Sequence, residues 1–250
     1  MAKWPNAAVC KTAIHRFDSG RRLHIPPHET ALIGPPRGGS RDYGDRTIFD
    51  HVRRGPPELE QVLAGLTSVR NRFETAAKAD ERFRDALPRS LELFFSEDAA
   101  RLLDEPFFLF YASALACVEG LGYALAWLPY LSGRRARSPQ PRSISFGDTV
   151  AEYRRTFRNE PITQRLEEVA KSSVMSEVRG IRNFLEHRGL PGYHAPGADG
   201  AMYLHTTQFL GHNLSLNEDL TAIPRTWLGQ SLKSILGAAP DLANRYLSRA

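Results

Sequence analysis

Cysteine is scarce in this 250-residue chain, and its two copies, Cys10 and Cys117, stand far apart. This excludes a disulfide framework and a cysteine-based metal cluster. No apolar segment follows the first charges of MAKWPNAAVCKTAIHR, so no signal peptide is predicted. A phosphate-binding glycine loop and a Gly-x-Ser-x-Gly nucleophile turn are also missing. We therefore expect a cytoplasmic protein without a cofactor or a bound metal.

Lysine is the second shortage. Only five lysines accompany 28 arginines, and the formal net charge is +5 with a pI near 9.4. A basic chain favours a polyanionic partner such as RNA. GC-rich coding also produces an arginine excess beside abundant alanine, glycine and proline, so the charge supports an RNA partner only weakly. At 42% hydrophobic and 24% charged residues, the composition is that of an ordinary globular domain.

Residues 1–56 and 57–250 differ in character. The first part is rich in proline, glycine and arginine, with stretches such as HIPPHE and GPPRGGSRDYGDR, and predicts an extended, partly ordered arm. His24 and His28 have the spacing of a helical metal pair. The two prolines between them prevent that helix, so we discard them as ligands.

Apolar residues at three- and four-residue spacing predict helices in the second part. We expect a long helix from Pro57 to Ala86, a shorter one over 89–104, a very apolar one over 105–131, a short one capped by Asp148 and ending at Asn159, and one or two from Thr221 to Ala250. Aromatic and β-branched residues at about 200–216 predict a small β-hairpin. The fold class is therefore all-α, a helical bundle with an N-terminal arm and a hairpin.

The apolar segment over 105–131 allows two interpretations. Phe107 to Leu128 is long enough to span a bilayer, and RRAR follows it like a cytoplasmic anchor. Against a span, Glu119 lies near the centre, where a carboxylate is costly. A helix that is apolar all round is also typical of burial between neighbours. We favour the buried helix and no membrane, with Glu119 paired to Arg182 either as catalytic support or for packing specificity.

A basic loop over 133–147, GRRARSPQPRSISFG, joins the two core helices. Its arginines are candidates for RNA contact, although an exposed, solvating loop is the favoured interpretation. The helix that follows is predicted from Pro161 to Gly189, because its apolar residues form one stripe and Gly189 with Pro191 supplies a stop. Near its end lie the only candidates for chemistry.

Those candidates are Arg182, Asn183 and His187. Histidine exchanges a proton near neutral pH, and the arginine fork matches phosphate oxygens. Together they are able to cleave RNA without metal, because imidazole moves a proton at the ribose 2′-OH or the 5′-oxygen while guanidinium stabilises charge on phosphorus. Asn183 and His187 are four residues apart, so the amide can orient the ring. Arg182 and His187 are five apart, roughly 140° around an ideal helix, so they converge only through distortion or a second subunit.

Spacing alone is a weak signal. Chance predicts roughly 0.9 Arg-x4-His pairs in a chain of this composition. Arg46 and His51 form such a pair in the proline-rich part. The competing interpretation of Arg182 and His187 is two basic side chains that favourably meet the negative end of a helix dipole.

An all-helical chain with Arg182, Asn183 and His187 near the end of its late core helix resembles the HEPN superfamily (higher eukaryote and prokaryote nucleotide-binding domains). In that family an Arg-x4-6-His motif, often with Asn, Asp or His after the Arg, marks metal-independent endoribonucleases that dimerise through the motif-bearing helices. A polar or acidic residue of an earlier core helix often supports the site, which implies Glu119 here. The resemblance covers about residues 57–190.

The resemblance implies a metal-independent endoribonuclease that leaves a 2′,3′-cyclic phosphate, in a toxin–antitoxin or phage-defence setting. Arg182 would bind phosphate, His187 would be the acid/base, Asn183 would orient it and Glu119 would support the site. RNA and an antitoxin protein are the implied partners. Gly189 stands where toxin members paired with a nucleotidyltransferase often carry tyrosine, so AMPylation there is not supported.

The oligomeric state follows from the chemistry. One imidazole per chain does not easily serve as both base and acid, so we predict a symmetric homodimer through the motif helices. The alternative function is a non-catalytic HEPN-like helical module that binds nucleotide, RNA or a protein partner.

Overall fold

The computed structural model describes residues 57–92, 97–188, 203–204, 211 and 213–247. The predicted arm over 1–56 lies outside these residues, as does Gly189. The helices are α1 Pro57–Glu92, α2 Glu97–Leu125, α3 Leu128–Leu131, α4 Phe146–Thr156, α5 Pro161–Lys171, α6 Ser173–Arg188 and α7 Asp219–Leu247, with a 3-10 turn at Pro141–Ser143. The described part of the chain is mostly helical, which confirms the predicted fold class.

A short antiparallel pairing corresponds to the predicted hairpin. Strand β1, Tyr203–Leu204, pairs with β2, Leu214–Ser215, so that Tyr203 lies opposite Ser215 and Leu204 opposite Leu214. Most of the chain between the two strands lies outside the described residues. The pairing follows α6 in sequence, as predicted.

The helix predicted over 89–104 does not exist as a separate element. Helix α1 continues to Glu92, and α2 begins at Glu97 and runs on through Pro106. An internal proline removes one backbone hydrogen bond and disfavours a helix. Here Leu103 and Phe107 on either side of Pro106 are fully buried, and that burial offsets the loss.

The single helix predicted from Pro161 to Gly189 is interrupted, so this prediction was wrong. Ser172 has φ −63° and ψ 135°, an extended conformation that ends α5. Its N–H donates to the Val169 carbonyl at 3.2 Å, and its own carbonyl accepts from the Ser176 N–H at 3.2 Å. Serine is a favoured residue at such a helix start. The apolar stripe continues on both sides of the break, so periodicity alone did not reveal it.

The predicted helix after the basic loop forms with a different cap and an earlier end. Ser145, not Asp148, is the N-cap of α4, and its hydroxyl oxygen accepts the Asp148 backbone N–H at 3.1 Å. The Ser145 hydroxyl donates in turn to the Asp148 carboxylate at 2.6 Å. Tyr153 and Phe157 are buried, as expected for the inner face.

Two glycines allow α2 to approach its neighbours closely. A Cβ added at Gly65 of α1 would lie 2.8 Å from the Ala124 Cβ, and one at Gly122 would lie 2.7 Å from the Phe146 Cα. These distances are shorter than packed side chains tolerate. Helix α2 is therefore the central element, with α1 on one side and the start of α4 on another.

One helical stretch, Leu102–Leu131, is long and apolar enough by composition to cross a membrane. In its most apolar window 56% of the residues are buried inside the bundle. Phe107, Phe110 and Tyr111 of this stretch are buried, and the Phe107 and Tyr111 ring centroids lie 4.9 Å apart. This packing is what a core helix of a bundle shows.

A buried ion cluster joins α1 to α7. The Asp80 carboxylate is fully buried, and its Oδ2 lies 3.0 Å from Nη2 of Arg84 and 3.0 Å from Nη1 of Arg225. The two arginine side chains remain about a third exposed, at 32% and 35%. Neither carboxylate oxygen accepts a well-aligned hydrogen bond within the described residues. The cluster is held mainly by charge.

Candidate active site on helix α6

Helix α6 divides into a buried and a solvent-facing side. Its buried residues are Met175, Val178, Ile181, Phe184 and Leu185. Its polar side chains at 179, 183 and 186 are exposed, and Arg182 is partly exposed. The buried side packs mainly on α2, with further contacts to α5 and α7. The polar candidates therefore face outward from the last two turns, where a substrate or a second subunit can reach them.

The structure brings Arg182 and Asn183 together. Nη1 of Arg182 donates to Oδ1 of Asn183 at 3.1 Å. The same guanidinium forms an ion pair with Glu186, one turn further along. The two charged side chains are 31% and 38% exposed, so water screens the pair. An arginine four residues before a glutamate is also the weaker order of such a pair, whose best cases contribute about 0.5 kcal/mol. A phosphate group can displace a contact of this size.

Glu186 is the residue that sequence reasoning missed. The signal was the four-residue spacing from Arg182, which places the carboxylate beside the guanidinium. It holds Arg182 in place when no anion is bound. It also adds a negative charge to the face that would receive phosphate.

The position of His187 follows from the backbone alone. Helix α6 continues through His187 to Arg188, so residue 187 lies one turn after Asn183 and on the same side of the helix. The imidazole itself lies outside the described side chains. Its predicted contact with Asn183 stays a prediction.

Glu119 has a different partner from the one expected. Its Oε2 accepts the backbone N–H of Phe146, the first residue of α4, at 2.7 Å. An ion pair with Arg182 is not among the contacts of the described residues, because Arg182 is paired with Glu186. A carboxylate at a helix N-terminus satisfies a free N–H and is favoured by the helix dipole. Glu119 thus joins α2 to α4, and the expected Glu119–Arg182 pair was wrong.

Two buried side chains on α2, Tyr111 and Cys117, have raised pKa values. Burial raises the pKa of the Tyr111 hydroxyl well above its usual value, and the negative charge of Glu177 on α6 adds to the effect. This hydroxyl donates to the Leu220 carbonyl at 2.5 Å. Burial raises the pKa of the Cys117 thiol to about 12. Both groups stay neutral near pH 7, and Cys117 is therefore not a nucleophile.

Comparison with known proteins adds no relative. No protein-family model, curated protein or solved structure matches the chain. The resemblance to the HEPN superfamily rests on Arg182, Asn183, His187 and the order of helices. The helical architecture is observed, whereas the family, the RNA substrate and the dimer remain predictions.

Proposed function

We propose that this protein is a metal-independent endoribonuclease whose site is the exposed end of α6. The observation that carries the proposal is the 3.1 Å contact between Arg182 and Asn183 on a solvent-facing surface, one turn before His187. In the proposed site Arg182 binds the scissile phosphate and Asn183 orients the His187 ring. Glu119 is assigned to the α2–α4 contact and not to the reaction.

The reaction is a transfer of phosphorus from the 5′-oxygen to the ribose 2′-oxygen. One imidazole accepts the 2′-OH proton, the 2′-oxygen bonds to phosphorus, and the bond to the 5′-oxygen breaks as a second, protonated imidazole supplies its proton. The products are a 2′,3′-cyclic phosphate and a 5′-hydroxyl. The Arg182 guanidinium stabilises the charge that develops on the phosphoryl oxygens.

Two imidazoles require two chains in this mechanism. The polar side of α6 is open along Arg179, Arg182, Asn183 and Glu186. A twofold axis beside this side would place two copies of the motif across one cleft. Five-residue spacing separates Arg182 and His187 around one helix, and a partner subunit removes that difficulty because each phosphate contacts both chains. Light scattering on the purified protein tests for the dimer.

Cleavage of single-stranded RNA in EDTA tests the activity. We expect His187→Ala to lower the rate by about 10²–10⁴-fold and Arg182→Ala by about 10²–10³-fold. Arg165→Ala is the matched control, since Arg165 is an exposed arginine on α5, outside the polar side of α6. Its rate should stay close to that of the unmodified protein. Equal cleavage by all three variants would contradict the proposal.

Glu186→Gln gives a second, independent readout. This change releases Arg182 from its ion pair and removes a negative charge from the phosphate-binding face. We expect the KM for RNA to fall or stay equal, with kcat retained. A loss of cleavage as large as that of Arg182→Ala would instead assign Glu186 to the reaction.

A second candidate is a non-catalytic helical binding module. It is favoured by two contacts: Arg182 is already held by Glu186, and Glu119 serves α4 and not the α6 site. Such a module would bind RNA without cleaving it, or bind a protein partner, and His187→Ala would leave this binding intact.

Under the nuclease proposal, expression of the protein in cells arrests growth and an antitoxin partner relieves the arrest.

A further inference from the structure

The loop over 133–147 is the most one-sidedly charged segment of the described chain. It contains four arginines and no acidic residue. It follows α3, includes the 3-10 turn Pro141–Ser143 and ends in the first two residues of α4. A concentration of one charge over so short a segment creates a local positive potential.

Contacts at both ends hold this loop in place. The backbone N–H groups of Arg134 and Arg135 both donate to the Pro129 carbonyl at 3.0 Å. The Arg134 guanidinium lies 4.2 Å from the centroid of the Tyr246 ring, a cation–π contact with α7. At the other end Ser145 caps α4. The loop is therefore ordered before any ligand arrives, which lowers the entropy lost on binding.

A cavity of about 280 Å³ lies between this loop and α4. Its volume is near the lower end of the roughly 300–1,000 Å³ typical of small-molecule sites. The polar side chains of its wall are Arg135, Gln140, Ser143, Asp148, Thr149, Glu152 and Arg155. This is room for a single small group or for one unit of a longer ligand.

The charged side chains of the cavity wall differ in whether they form ion pairs or hydrogen bonds. Glu152 forms an ion pair with Arg155 and also accepts the Thr156 hydroxyl at 2.9 Å. Asp148 accepts the Ser145 hydroxyl at 2.6 Å. Arg135 is half-buried, yet within the described part of the chain its guanidinium has no ion pair or side-chain hydrogen bond. A partly desolvated cation without a partner is unfavourable and attracts an anion.

We propose that this cavity binds a phosphate ester, with the Arg135 guanidinium as its main ligand. The planar fork of arginine forms paired hydrogen bonds with phosphate oxygens, and the Gln140 amide is an uncharged donor in the same wall. Arg137 and Arg142 are exposed on the same loop and add to the positive potential. The ester belongs either to a free mononucleotide or to the backbone of an RNA strand. The site is independent of the proposed nuclease centre on α6.

Binding is measured in a His187→Ala background, so that RNA stays intact whatever the activity of α6. AMP, titrated by calorimetry, represents a phosphate monoester. A short fluorescent oligoribonucleotide, followed by anisotropy at fixed salt, represents the backbone. Arg135→Gln should weaken binding of the recognised probe by about 10- to 100-fold, the effect of losing a charge-assisted hydrogen bond. Arg158→Gln is the matched control, because Arg158 is exposed and does not line the cavity.

Each outcome supports or overturns the site. Arg135-dependent binding of AMP assigns a small phosphorylated ligand, and Arg135-dependent binding of RNA alone assigns the strand. Arg135→Lys keeps the charge without the fork and should bind between the unmodified protein and Arg135→Gln. Absence of binding to both probes, or equal affinities of the Arg135→Gln and Arg158→Gln variants, overturns the proposal. RNA cleavage by α6, measured separately with His187 intact, should be unaffected by that result.

Discussion

Replacement of Asp80 by asparagine should destabilise the protein far more than removal of an exposed acidic residue. The Asp80 side chain is fully buried, and two arginines lie 3.0 Å from its Oδ2. Asparagine keeps the shape and removes the charge, so Arg84 and Arg225 then face each other without an anion. Breaking a buried ion pair by removing one partner costs about 3–5 kcal/mol. Because both arginines are about a third exposed and partly rehydrate, we expect about 3 kcal/mol.

Urea unfolding followed by circular dichroism measures this loss: the urea concentration at the midpoint should fall, while the dependence of the unfolding free energy on urea concentration stays unchanged. For a chain of this size about 3 kcal/mol corresponds to a fall in Tm of roughly 6–12 °C. Glu74→Gln is the control. Glu74 pairs with Arg70 at 2.9 Å, but both side chains are 41–50% exposed, so the cost should stay below about 1 kcal/mol.

A triple replacement separates charge from packing in this cluster. Neither oxygen of Asp80 accepts a well-aligned hydrogen bond within the described residues, so the ion cluster is poorly satisfied. Asp80→Leu with Arg84→Met and Arg225→Met should therefore be neutral within about 1 kcal/mol or stabilising. A loss below about 1 kcal/mol for Asp80→Asn, or a triple variant less stable than Asp80→Asn, would refute the reasoning.

Three further predictions concern packing and acidity. Gly122→Ala should lower the free energy of unfolding in urea by about 1–3 kcal/mol, because the added Cβ would lie 2.7 Å from the α4 backbone. Gly237→Ala is the control within a helix: an added Cβ there meets nothing within 4 Å, so this change should raise the free energy of unfolding by about 0.5–1 kcal/mol. Cys117, whose pKa is about 12, should resist thiol reagents in a Cys10→Ser variant until the protein unfolds. Hydrogen bonds from Arg154 and then Lys171 lower the pKa of Glu167 to about 2. The stability lost in Glu167→Gln should therefore be constant at neutral pH, shrink as pH falls below about 4.5, and disappear below about pH 2.

The candidate site was partly predictable from the sequence. Arg182 and Asn183 are neighbours on one helix, so their contact follows from local geometry, and so does the pairing of Arg182 with Glu186. Glu119 was assigned the wrong partner, because its contact is with the start of α4, 27 residues away in the chain. The approach of α4 to α2 depends on a glycine, Gly122, whose role is visible only when both helices are in place.

The sequence alone determined the helical class, the buried side of α6 and the position of the Arg182–His187 motif, because these depend on spacing within a few residues. Tertiary structure decided the longer-range partners: Asp80 with Arg225, Glu119 with Phe146, and Arg134 with Tyr246. A charge pattern shows that a side chain needs a partner. Which partner it meets depends on how the helices pack, and the same packing leaves Arg135 beside a cavity without an ion pair among the described residues.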